Sequence, residues 1–88
     1  MTSDTRLPAA DIVTVYGVDT CEDTTRARTH FDAAGLAYRY VNYDQDPAAK
    51  ALVHAAGYTS TPVVITPQGT LFVEPSDEEL AGVVAGTA

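Results

Sequence analysis

The sequence predicts a small α/β domain, one mixed sheet of four strands flanked by helices in the order β-α-β-α-β-β-α. Three observations lead there. Four short runs rich in β-branched and aromatic residues recur along the chain, at 12–16, 37–43, 61–66 and 70–73. Helical segments with recognisable starts or stops follow the first, second and fourth of them. The 88 residues suffice for a single core, with no room for a second.

In chain order, residues 1–10 read as a flexible polar leader and 11–88 as the domain. I12-V-T-V-Y16 is the first strand, ended by Gly17. A helix follows over about Thr20–Ala34, opened by a capping-box pattern from Thr20 to Asp23 and capped by Gly35. Thr24, Ala27, Phe31 and Ala34 share one face at helical spacing; Asp23, Arg26 and His30 share another. A37-Y-R-Y-V-N-Y43 alternates as a strand does. The second helix has Asp46 as N-cap, Pro47 at its first position and Gly57 past its end. T61-P-V-V-I-T66 and T70-L-F-V73, joined by P67-Q-G69, read as a hairpin. S76-D-E-E79 is a full capping box, opening a helix with Leu80, Val83 and Val84 inward. Strands one and two, joined through a helix, are expected to be parallel, and strands three and four antiparallel. The order resembles the thioredoxin-like arrangement.

Composition excludes several functions. Twelve acids against five Lys+Arg give a net charge of −7, which repels a phosphate backbone or an anionic membrane surface. No apolar run approaches the ~20 residues of a membrane span, and the N-terminus lacks the apolar core of a signal peptide. One cysteine rules out an internal disulfide and suits a reducing cytoplasm. Cys21, His30 and His54 are too scattered for a metal site, so both histidines read as solvated surface residues.

Chemistry concentrates at V15-Y-G-V-D-T-C21. A cysteine at a helix start meets unpaired N–H groups and partial positive charge, which favour the thiolate. Glu22 and Asp23 oppose this, by roughly 1–3 kcal/mol each at ~5 Å in a partly solvated site. Arg26 lies four residues after Glu22 and three after Asp23, where it can pair with either. The Thr24 hydroxyl is one turn beyond the sulfur and able to donate to it. These features describe a moderately activated thiol. They equally allow a cysteine that is merely a small apolar residue. Tyr16, at the strand end, is a candidate to face the cleft, while Tyr38, Tyr40 and Tyr43 are expected to pack on the sheet.

The V-Y-G strand end, the cysteine opening a helix and Thr61-Pro62 at 40 residues' distance resemble the glutaredoxin family over about Asp11–Ala85. E74-P-S-D-E-E-L80 is similar to the final helix start of the mycoredoxins, relatives that work with mycothiol. The resemblance implies that Cys21 is the nucleophile and that Thr24 stands where other members carry a second cysteine or a serine. It implies a cis Thr61–Pro62 bond beside Cys21, and a Ser76–Asp77 helix start that holds the carboxylate end of a glutathione-like thiol. Val18, where many members have a lysine, and Glu74-Pro75, in place of Gly-Gly, depart from the pattern and disfavour glutathione.

The implied function is a monothiol thiol–disulfide oxidoreductase. Its co-substrate would be mycothiol or glutathione, with no permanent cofactor, and its substrates S-thiolated proteins; a cytoplasmic monomer is expected. Two alternatives come from other classes: a catalytically weak binding module that kept the fold, and an iron–sulfur carrier in which two copies of Cys21 hold a cluster.

Overall fold

The computed structural model describes residues 7–8 and 10–87, and within them the expected order is found. The elements are β1 (Val13–Gly17), α1 (Glu22–Ala33), β2 (Tyr38–Asn42), α2 (Pro47–Ala55), β3 (Val63–Ile65), β4 (Leu71–Val73) and α3 (Asp77–Thr87). Residues 1–6 and 9 of the expected leader lie outside the described residues, as does Ala88.

The strands form one mixed sheet in the order β2-β1-β3-β4. β1 runs parallel to β2, with Val13 opposite Tyr38 and Gly17 opposite Asn42, and antiparallel to β3, with Val15 opposite Val64. β3 and β4 are an antiparallel hairpin, closed by the Gly69 N–H donating to the Thr66 carbonyl at 2.9 Å. Every residue of β1 is buried. Strand parity explains how: alternate side chains point to opposite faces, and helices cover both. Val13 and Val15 join Val64, Ala27, Phe31, Leu80 and Val83 in a cluster under α1 and α3. Tyr16 joins Val63, Ile65, Tyr43 and Val53 in a second cluster under α2. Leu7 and Ala10, at the end of the expected leader, pack against this second cluster.

The helix ends follow their residues closely. Asp46 accepts from the Ala49 N–H at 3.0 Å, and Pro47 opens α2. Gly35 (φ 69°) and Gly57 (φ 101°) each sit just beyond a helix in the left-handed region. At both, the next residue's N–H reaches back to the helix, Leu36 to the Phe31 carbonyl and Tyr58 to that of Val53, which is a Schellman closure.

Three expectations are corrected. α1 starts at Glu22 with Cys21 as its N-cap, and no side chain caps it. The Cys21 N–H instead closes a turn onto the Val18 carbonyl at 3.2 Å, so the Thr20–Asp23 box does not form. Ala34 is exposed because it is the C-cap residue, where the chain leaves the helix and turns from the core. The histidines are half-buried rather than solvated, His30 edge-on to Phe31 and His54 edge-on to Tyr43.

Candidate active site

β1 delivers the chain to a short loop, and that loop is tied down before it reaches the cysteine. The Asp19 carboxylate accepts from the Tyr40 hydroxyl at 2.7 Å and pairs with Arg28 at 3.6 Å. The Arg28 guanidinium in turn lies 3.8 Å from the centre of the Tyr40 ring. This clamp between loop, α1 and β2 joins residues far apart in sequence, and nothing in local spacing announces it.

Cys21 is half-exposed at the head of α1. Its sulfur lies 3.7 Å from the Thr61 carbonyl, to which the thiol donates. The Thr61–Pro62 bond is cis and Pro62 is fully buried, while Thr61 is half-buried. The Pro62 carbonyl accepts from the Glu74 N–H at 2.9 Å, which fastens this loop to the end of β4.

Thr24 is fully buried, and its Oγ1 has no hydrogen-bond partner in the resting structure. Its side chain lies so close to Gly17 that a Cβ there would meet Thr24 Oγ1 at 2.5 Å and Cγ2 at 2.7 Å. The glycine of V-Y-G therefore makes room for Thr24 beneath Cys21. Burial pushes the thiol pKa up. Donors open to the thiolate, the Thr61 and Thr24 side chains and the Thr24 and Asp23 backbone, outweigh it, leaving Cys21 below its ordinary 9.0. The protonated thiol makes no bond to the Thr24 hydroxyl, but a thiolate is an acceptor that the hydroxyl can serve. The orphaned oxygen and the lowered pKa thus have one physical explanation.

α3 is joined to this centre through Arg26. Its Nη1 donates to Asp77 at 2.6 Å and its Nη2 to the Pro75 carbonyl at 3.1 Å. Asp23 is a longer partner at 3.5 Å. Of the pairings that spacing allowed, only the weaker one with Asp23 forms, and the short bond goes 51 residues away. Ser76 and Glu79 complete the expected capping box, each accepting from the other's N–H, at 3.1 and 2.9 Å. Ser76 and Asp77 are therefore at the α3 start, but engaged within the chain.

Cys21, Thr24, Thr61 and Pro62 are brought together. Tyr16 is not with them: only 7% exposed, it is held in the second core cluster, and its exposed edge lines a cleft with Pro8, Val41, Asp46, Ala49 and Leu52. Parity puts Tyr16 opposite Val15, on the α2 face, and the sequence alone does not say which face carries the thiol. Among the described residues no three His, Cys, Asp or Glu side chains are grouped to hold a metal ion, and no helix is long and apolar enough to cross a membrane.

A four-stranded sheet with two helices on one face and one on the other, and a thiol at the head of α1 beside a cis-proline loop, is the arrangement of a thioredoxin-like domain. Within that class, the glutaredoxin family model matches residues 13–70, and the chain belongs to the glutaredoxin family. Membership assigns it in general terms to thiol–disulfide oxidoreductase chemistry, with thiol co-substrates of the glutathione type. The glutaredoxin-like protein NrdH-redoxin from Escherichia coli superposes with a TM-score of 0.73 at 20% identity, over 81% of this chain and 92% of that one. A glutaredoxin from Archaeoglobus fulgidus does so at 0.71 and 22% identity, over 82% and 84%. At such identities the likeness speaks for the fold. No curated protein sequence matches the chain.

Proposed function

We propose that the chain is a monothiol oxidoreductase of the mycoredoxin kind, its domain beginning near Asp11. It would reduce mixed disulfides between proteins and a small thiol through Cys21, as a monomer in a reducing, cytoplasmic compartment. The observation that carries this reading is a half-exposed thiol of lowered pKa at the head of α1, 3.7 Å from the Thr61 carbonyl.

With one cysteine, each turnover has two exchanges. The Cys21 thiolate attacks the small-thiol sulfur of protein–S–S–R; the Cys21–S–S–R bond forms and the protein leaves as a thiolate that takes a proton from solvent. A second RSH, deprotonated, then attacks the R sulfur on Cys21. This yields RSSR and returns the Cys21 thiolate, so one RSH is consumed for each mixed disulfide reduced, the other half of RSSR coming from the substrate. Thr24 stabilises the thiolate as nucleophile and again as leaving group. Thr61 and Pro62 form the wall against which the incoming disulfide lies.

Mycothiol suits this site better than glutathione. The α3 start is already supplied with carboxylates from Asp77, Glu78 and Glu79, so its attraction for the carboxylates of glutathione is spent within the chain. Mycothiol has no carboxylate to bring. Turnover of mycothiol and glutathione mixed disulfides, measured beside Cys21→Ser, tests the proposal. Reduction faster with mycothiol and lost in the variant is the expected result; no transfer with either thiol rejects it in favour of a binding module.

A further inference from the structure

Half of the chain's twelve acids, Glu22, Asp23, Glu74, Asp77, Glu78 and Glu79, stand at the two helix starts and the linking turn around Cys21. Five are exposed and Asp23 is half-buried. Among the described residues, the cation hydrogen-bonded into this region is Arg26, and Asp77 and Asp23 already occupy it. Arg28 and Arg39 are paired elsewhere, with Asp19 and Asp11. A disulfide approaching the half-exposed sulfur therefore enters a field of net negative sign. Thr24, fully buried one turn beyond the cysteine, adds a hydroxyl that has no partner in the resting protein and that a reacting thiolate can accept from.

We infer that this site chooses its protein substrate by charge, taking S-thiolated cysteines flanked by lysine or arginine and discriminating against those flanked by carboxylates. The inference rests on the exchange chemistry proposed for Cys21. It adds to it the kind of partner surface: the basic face of another protein, laid across the starts of α1 and α3. The acids closest to the sulfur in sequence are then substrate-selecting groups, which explains why a helix start that must support a thiolate carries two of them.

The test uses two peptides of equal length, each with one cysteine in a mixed disulfide with 2-mercaptoethanol, one flanked by lysines and one by glutamates. Excess reduced protein is mixed with each, and release of the peptide thiol is followed in a single turnover. Each rate is divided by that of free 2-mercaptoethanol with the same peptide, which removes the flanking residues' effect on the leaving thiol. The lysine peptide is expected to react at least about tenfold faster in dilute buffer, with most of the advantage gone at about 0.5 M salt. Glu22→Gln combined with Glu78→Gln is expected to narrow it. Equal normalised rates, or a faster glutamate peptide, overturn charge selection while leaving the exchange reading in place. Release from neither peptide overturns the exchange reading, and this inference with it.

Discussion

Replacing Thr24 by valine pulls stability and reactivity in opposite directions, and the structure says which way each moves. The two side chains have nearly the same shape, so packing against Gly17 is kept and only the hydroxyl is lost. That hydroxyl is fully buried and unpartnered in the resting protein. An orphaned buried polar group costs about 1–3 kcal/mol. Taking the low end, because valine's methyl is bulkier than the oxygen beside Gly17, the variant gains about 1 kcal/mol. For a domain of this size that raises Tm by roughly 4–8 °C. The thiolate meanwhile loses a donor. A hydrogen bond to a charged group contributes about 1.5–3 kcal/mol when buried, and the half-exposed sulfur warrants about half of that. A loss of about 1 kcal/mol is roughly a fivefold fall in thiolate at neutral pH. Thermal unfolding and iodoacetamide alkylation at pH 7 read the two effects. A variant that melts lower, or that alkylates as fast as the parent, refutes the account of Thr24.

Gly17→Ala forces a Cβ to within 2.5 Å of Thr24 Oγ1, an overpacking expected to cost about 1–3 kcal/mol in urea unfolding; adding Thr24→Ala should recover most of the loss. Tyr43 is 4% exposed with an unpartnered hydroxyl, and burial, then Tyr16, pushes its pKa from 10.0 to about 12. Because the folded state holds the neutral phenol, the stability linked to its protonation is complete below pH 10 and fades as pH rises towards 12. Tyr43→Phe should melt no lower than the parent at pH 7 and lose less stability on going to pH 11, both read by circular dichroism. Ser76→Ala removes one half of the capping box and should lower stability by about 0.5–2 kcal/mol in the same unfolding assay.

What the sequence made legible is what neighbours in the chain decide. Asp46-Pro47, the Ser76–Glu79 box, Gly35 and Gly57 each act within five residues, and their physics is complete in the local stretch. Element order and the parallel pairing of β1 with β2 followed from it. The site was legible only in part. Cys21 beside Thr61-Pro62 came through a family resemblance, since no spacing rule brings residues 40 apart together. The Arg26–Asp77 bond and the Asp19–Tyr40–Arg28 clamp depend on which helix lands beside which, and a one-dimensional pattern does not contain that. α1 took Cys21 rather than Thr20 as its N-cap, where a turn hydrogen bond from Cys21 to Val18 stands in place of a side-chain cap. Tyr16 was misplaced for a different reason: alternation separates it from Val15, but the thiol's face is settled only by the assembled sheet.

The central claim is that Cys21 takes the small thiol onto itself. Mass spectrometry of the reduced protein, mixed with a substoichiometric peptide–mycothiol disulfide and quenched in acid, tests it most directly. The account predicts a mass increase of one mycothiol on the peptide containing Cys21, with the substrate peptide free. An unmodified Cys21 beside intact substrate, or the substrate peptide itself on Cys21, would contradict it.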